Sequence, residues 1–410
     1  MNQSYLETKN KTACFGCEAC VSVCKNAAIK MIADEEGFRY PNIDAAKCIN
    51  CGACSRVCPI KDELNAHDPI EAFGGYVIKT DIRTASTSGG FFSAIVESWA
   101  DDTTIIFGAE SIGLDVRHSW VEGCTNISKF RKSKYLQSIV GNSYSDVKRF
   151  LLEDRRVIFS GTPCQIAGLK SFLGKISDSE KLLTIEVVCE GVPSPYYIKK
   201  FAAYLENKIG GSVVSLDYRA KSTKSGKWDF EMMEAELKDK NEASYIWRQD
   251  RWFNPFWSIW LQHLMSRPSC YECKFATRSR VADITLGDLW GVHLYCPELY
   301  GKNHGCSVAF CNTEKGKLAL SAAKPLIYGH ELSIETAIKY QGPLRNHIAP
   351  NPGRDEFMQD LKVMSYIDLV KKWAKSPTLK LLFQKYVWGN RQKIWLWNLF
   401  RRKSGNNTND

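Results

Sequence analysis

Two cysteine quartets of identical spacing fall within the first 60 residues, strands and helices alternate from residue 75 to 208, and alternating apolar segments follow. These features predict an α+β ferredoxin-like N-terminal module followed by an α/β domain with a mixed sheet. Composition places the boundaries at 1–68 for the module, 69–365 for the second domain and 366–410 for a basic, aromatic tail.

The module rests on an internal repeat. Cys14, Cys17, Cys20 and Cys24 recur as Cys48, Cys51, Cys54 and Cys58 with the same intervals. A Cys-x2-Cys-x2-Cys-x3-Cys run gives three thiolates to one four-iron cluster and sends its fourth to the neighbouring cluster. Cys14, Cys17, Cys20 and Cys58 are therefore expected to hold one [4Fe-4S] cluster, and Cys48, Cys51, Cys54 and Cys24 the other. Gly16, Ala19, Gly52 and Ala53 are small enough to let backbone N–H groups approach the sulfurs. The second run ends Cys58-Pro59 as such runs do, whereas the first ends Cys24-Lys25. Structural zinc is the competing use of clustered cysteines, but zinc knuckles pair two cysteines and lack the third at this interval. Between the runs, residues 21–29 suit a short helix and residues 36–41 a hairpin and turn.

Polar, turn-rich residues 59–70 lead into the second domain. There the pattern predicts strands at 75–79, 104–107, 157–160 and 182–188, with helices at 89–99, 145–153 and 195–208. Segments 213–218 and 228–237 suggest an antiparallel addition, and aromatic-rich 252–260 suits a buried helix. Cys164, Cys189, Cys270 and Cys273 stand beside expected strand ends or turns and could form a third four-thiolate site; the pair Cys270 and Cys273 alone also suits a zinc knuckle or a redox dithiol. Cys124, Cys296, Cys306 and Cys311 read as buried apolar residues. Asp283 and Asp288 read as turn organisers, and the seven histidines as structural or solvated.

At 410 residues the chain exceeds what one core supports, and 44% hydrophobic residues suffice to fill more than one. The start is polar and no run of about 18 apolar residues occurs, so a reducing cytoplasm is expected. The net charge of +10 is concentrated: residues 371–403 carry ten Lys or Arg and no Asp or Glu. The body is near neutral, which argues against a nucleic-acid partner. Interleaved with Trp373, Phe383, Tyr386, Trp388, Trp395, Trp397 and Phe400, the tail suits docking to an anionic inner membrane face or an acidic protein.

Three further stretches carry a resemblance: Ser86-Thr87-Ser88-Gly89-Gly90-Phe91-Phe92, then Phe159-Ser160-Gly161-Thr162-Pro163-Cys164-Gln165, and residues 282–291, Ala-Asp-Ile-Thr-Leu-Gly-Asp-Leu-Trp-Gly. As a set they resemble the coenzyme F420 hydrogenase/dehydrogenase beta-subunit family over about residues 1–310. The resemblance implies an α/β flavin-binding domain that holds FAD without a Gly-x-Gly-x-x-Gly fingerprint, and none is present. It implies cofactor contacts from Thr87, Ser88, Gly89, Gly90, Lys134, Gln137, Ser138, Gly161, Thr162, Pro163 and Gln165. It also implies that Cys164, Cys189, Cys270 and Cys273 hold a third [4Fe-4S] cluster beside the flavin. Independently of the family, Ser88-Gly89-Gly90 opens a helix whose N–H groups could take a pyrophosphate.

The function so implied is an FAD-dependent iron–sulfur oxidoreductase that receives electrons from ferredoxin or another donor protein and reduces an unknown organic substrate. The resemblance also implies a place in polysaccharide biosynthesis, since family members with this fused module include proteins associated with it. A second version uses a deazaflavin, coenzyme F420, as hydride partner, with Arg131, Lys132, Lys134, Arg278 and Arg280 as candidate contacts; a third is a non-catalytic electron-transfer subunit of a larger complex.

Overall fold

The computed structural model describes residues 3–61, 65–221, 232–250, 254–300, 305–389, 392, 395, 396, 399 and 400. In the N-terminal module β1 (Ile29–Ala33) and β2 (Arg39–Ile43) form an antiparallel hairpin. Asp34 closes its turn by accepting from the amides of Glu36 and Phe38. The helix expected over 21–29 is instead one turn, Ala19–Ser22, because Ala27 adopts φ +48 and β1 begins at Ile29. A matching turn, Ala53–Arg56, follows in the second cysteine run.

The body is built on an eight-stranded sheet. Its strands are β3 (Glu71–Val77), β4 (Ile105–Ile112), β5 (Asp115–Glu122), β6 (Val157–Gly161) and β7 (Leu182–Val187). A separate sheet holds β8 (Ser212–Asp217), β9 (Met232–Lys238) and β10 (Ser244–Asp250). The main sheet is completed by β11 (Ile284–Asp288), β12 (Ser307–Cys311) and β13 (Ile327–Leu332). Its order is β13-β3-β12-β11-β7-β6-β4-β5. The four central strands β11, β7, β6 and β4 run parallel, and the flanking pairs are antiparallel, so the sheet is mixed as expected.

Alternation along the parallel strands feeds two cores. Ile106, Ile158, Leu183 and Ile284 face the helices Phe91–Trp99 and Glu314–Ala323. Ile105, Phe107, Val157, Phe159 and Leu182 face the helices Ser143–Leu152 and Pro163–Leu173. Phe15, Ala19 and Val57 of the module belong to that second core, so module and body share one apolar interior.

A third core lies between β8–β10 and the helices Pro195–Ile209, Pro255–Trp260, Arg354–Val363 and Tyr366–Trp373. The helix Pro255–Trp260 is buried as its aromatics suggest; Trp252, residues 228–231 of the expected strand, His304, Trp397 and residues 401–410 lie outside the described residues. The packed body continues past residue 365, because Tyr366 and Leu369 are buried and Trp373 Nε1 donates to Asp360 Oδ2 at 2.8 Å. Beyond it, the helix Leu379–Tyr386 leaves Leu379 and Phe383 exposed, as are Val387, Trp388, Trp395 and Phe400 further on.

Candidate functional site

The two cysteine runs interlock. Cys14, Cys17, Cys20 and Cys58 line one cavity, which Cys54 also reaches. Burial pushes the Cys20 thiol up, and Cys14 and Cys58 beside it push it further. Burial likewise raises Cys54, with Cys48 and Cys24 adding to the shift. Cys58 thus lies with the first three cysteines of the first run, and Cys24 with Cys48 and Cys54 of the second, as cross-ligation requires. Cys51 is exposed, whereas Cys17 is only partly so.

Four more thiols converge at the carboxyl ends of β6 and β7. Cys164 is the second residue of the helix Pro163–Leu173, which follows β6 through Thr162; its cap is closed by Gln165, whose Oε1 accepts from Thr162 N at 3.0 Å. Cys189 lies just beyond β7, the parallel neighbour of β6. Cys270 sits in the 3-10 turn Pro268–Glu272, and Cys273 ends it. All four line a single cavity with Thr162, Pro163 and Arg267.

Burial pushes Cys164 up to about 12 and Cys270 up to about 11, and holds Cys189 well above the ordinary thiol value. Such groups become thiolates only when bound cations compensate. Backbone amides are already aimed at these sulfurs: Gly191 at Cys189, Val192 at Cys270, and Phe275 and Ala276 at Cys273. Four convergent thiols with N–H groups on sulfur are a donor set that fits a four-iron cluster.

The two cavities adjoin. A Cβ on Gly168, in the Pro163–Leu173 helix, would lie 3.0 Å from Cys17 Sγ, so the helix that carries Cys164 packs directly on the first cysteine loop. Arg267, fully buried, spans the junction: Nε donates to Cys14 O at 2.8 Å, Nη2 lies 3.5 Å from Cys14 Sγ, and Nη1 donates to Gln137 Oε1 at 3.1 Å. Gln137, expected at a cofactor, spends its Nε2 donors on the carbonyls of Phe15 and Gly16, at 2.7 and 3.1 Å.

The Thr87–Gly90 loop is tied into the body by its own polar groups. Ser88 Oγ donates to Cys306 O at 2.6 Å, Gly89 N donates to Ser307 Oγ at 2.8 Å, and Thr87 Oγ1 accepts from Ser133 N at 2.9 Å. A Cβ on Gly89 would lie 2.6 Å from Gly75 O, so packing alone requires that glycine. Two lysines flank this junction. Lys134 Nζ donates to Arg131 O and Lys129 O, and Lys221 Nζ donates to Ser88 O and Arg83 O. Burial lowers Lys134 to about 8 and Lys221 to about 7.

Ser138 and Gln165 join a buried hydrogen-bonded chain. Gln165 Nε2 donates to Ser138 Oγ at 2.9 Å, Ser138 Oγ lies 2.9 Å from His118 Nδ1, and His118 Nε2 lies 2.9 Å from Ser160 O. Burial lowers His118 to about 4, so the ring is neutral. Gly161 ends β6 immediately before Thr162.

The basic set suggested for a deazaflavin does not converge. Arg280 is buried against Glu186, Arg278 pairs with Asp68 and Glu335 at the surface, and Lys132 pairs with Asp217. Asp283 is a sheet staple, accepting from Thr184 N and Oγ1 and from Thr313 Oγ1. Arg267, Lys221 and His118 were not singled out by the sequence; only Arg267, three residues before Cys270, stood near a motif.

Residues 154–333, which contain all four thiols of the second cavity, match the C terminus of the coenzyme F420 hydrogenase/dehydrogenase beta subunit, and residues 13–61 match the 4Fe-4S dicluster domain. The chain thus combines a 4Fe-4S dicluster domain with a stretch similar to the C terminus of that beta subunit. Over 65 residues it is 35% identical to an uncharacterized polyferredoxin-like protein of Methanocaldococcus jannaschii, covering 14% of this chain and 39% of that protein's length. A chain from the F420-reducing [NiFe] hydrogenase complex of Methanosarcina barkeri is similar at 17% identity and TM-score 0.40, over 75% of this chain and 91% of that one. These matches make this an iron–sulfur electron-transfer protein related to the F420 hydrogenase beta subunit. Among the described residues no helix is long and apolar enough to cross a membrane.

Proposed function

We propose that this chain is an FAD-dependent iron–sulfur oxidoreductase that links an electron-donor protein, through three [4Fe-4S] clusters, to a two-electron hydride partner. The observation that carries the reading is the second cavity: Cys164, Cys189, Cys270 and Cys273 meet behind the cysteine loop of the module, with Gly168 against Cys17. Two cluster-competent sites in direct packing contact suit relay of single electrons. A bound flavin supplies conversion between one-electron and two-electron chemistry.

Residue roles follow from the geometry. An ammonium has three donors, and the carbonyls around Lys134 and around Lys221 each take two, leaving one N–H on each lysine to meet an anion. A phosphate there would restore the full charge that burial weakens. The glycine amide that sequence reasoning favoured is occupied by Ser307, so the lysines are the stronger phosphate contacts in this reading. The family match favours a deazaflavin as hydride partner over a substrate of polysaccharide biosynthesis. The exposed aromatics after residue 379 suit peripheral docking, which liposome flotation of the full chain against a chain ending at residue 375 would test; equal flotation of both rejects it.

Anaerobic reconstitution with quantitation of iron, sulfide and flavin tests the central reading. About twelve iron atoms and one FAD per chain are expected from three four-iron sites, with loss of about four irons in Cys189→Ser. Lys221→Met should weaken flavin retention at unchanged iron. About eight irons and no flavin would reject both downstream assignments, and reduction of a deazaflavin by the isolated chain would rule out a non-catalytic subunit.

A further inference from the structure

A second cluster of metal-ligating side chains lies apart from the cysteine cavities, on the opposite flank of the sheet. Cys296, buried between the short helices Val292–Tyr295 and Pro297–Tyr300, approaches His330 of the edge strand β13, with Sγ 3.5 Å from Nε2. Glu298 Oε1 lies 3.4 Å from the same Nε2. The three ligating atoms fall within 4.8 Å of one another.

Those separations match the edges of a coordination tetrahedron. With Zn–S of about 2.3 Å and Zn–N or Zn–O of about 2.0–2.1 Å, a tetrahedral ion sets S···N near about 3.6 Å and N···O near about 3.4 Å. A thiolate, an imidazole and a carboxylate together match zinc, since calcium and magnesium take oxygen donors. Backbone pairing of His330 with Gly74 fixes the imidazole-bearing strand, and Cys296 is anchored by donation of its amide to Val292 O at 2.8 Å.

We infer that Cys296, Glu298 and His330 form a zinc site that clips the 292–300 segment onto the edge of the main sheet, with one coordination position left for water or another donor. The site is distinct from the iron–sulfur cavities and shares no residue with them. It would brace the stretch that leads to Gly305 and Cys306, whose carbonyls receive Arg83 and Ser88.

The test uses the full, anaerobically reconstituted chain, exposed to zinc and freed of weakly held metal by gel filtration. Elemental analysis should give about one zinc per chain, and the zinc X-ray absorption edge should fit one sulfur with nitrogen and oxygen neighbours. Cys296→Ser and His330→Ala should each lose at least four-fifths of this zinc while iron and sulfide are unchanged. His330 is 44% exposed on its strand, so its replacement leaves the core intact even if Cys296→Ser misfolds. No zinc in the wild-type chain, or equal zinc in wild type and His330→Ala, overturns the site.

Discussion

His118 shows how one buried ring can couple stability to pH. It stacks on Phe159 with ring centroids 5.1 Å apart, and both of its nitrogens have partners inside the body. Ser160 O accepts a hydrogen bond from Nε2–H, which leaves Nδ1 to accept from the Ser138 hydroxyl. Protonating Nδ1 would remove that acceptor and bury a charge, which is why burial lowers the ring to about 4 from 6.5. The unfolded chain therefore binds the proton first as pH falls. The contribution is full above about pH 6.5 and disappears as pH drops to about 4, up to roughly 3 kcal/mol. Thermal unfolding midpoints across pH 7 to 4 should fall more steeply in wild type than in His118→Gln; parallel curves would show that the ring does not titrate this way. This role was not legible in the sequence, because it depends on Ser138 and Ser160, 20 and 42 residues away. The cysteines were legible because coordination geometry demands a fixed local spacing, and spacing is written along the chain.

Among the elements, the helix Pro163–Leu173 does the most to position the site. Thr162 and Pro163 set its start, as cap and first-turn residues do, and the start was readable in the sequence from that Thr-Pro pair. Its packing face was not. Gly168 faces Cys17 Cβ and Sγ at 2.9 and 3.0 Å and Tyr144 Oη at 3.1 Å from where a Cβ would stand, so no larger residue fits without moving the helix. Gly168→Val should destabilise the chain by about 1–3 kcal/mol through overpacking and lower iron occupancy of the first quartet. Retention of all iron with wild-type thermal stability would show that the helix can give way. Elsewhere, strand and helix periodicity located most of the body. It failed at Ala27, where a positive φ ends a turn that apolar spacing alone would extend, and at residues 366–373, where charge suggested a tail but Tyr366 and Leu369 supply core.

For the molecule as a whole, the junction between module and body matters more than either unit. Glu36 receives a two-pronged pair from Arg354 at 3.0 and 2.6 Å, Ser194 Oγ donates to Glu36 O at 2.6 Å, and Arg267 enters the cysteine loop itself. Arg267 also lies over the ring of Tyr40 at 4.3 Å. Its positive charge beside Cys14 favours the more reduced, more negative cluster state. Arg267→Met should therefore shift the midpoint of a cluster held by Cys14 downward by roughly 65–130 mV, the equivalent of one charge-assisted hydrogen bond in a one-electron couple. Redox titration followed by electron paramagnetic resonance would measure it, and an unchanged midpoint would detach Arg267 from the cluster. Contacts of this kind, spanning 253 residues, have no signature along the sequence.

The unequal shielding of the two quartets carries a consequence for life in air. The loop around Cys48 and Cys51 is open to solvent, with Ile49 71% exposed, whereas Cys17 is half-buried against the helix that carries Gly168. Oxygen reaches the outer rim first, so corrosion should begin there and leave the inner quartet intact for longer. The part of the molecule most easily damaged is then also the part that repair machinery can reach without prying the two units apart.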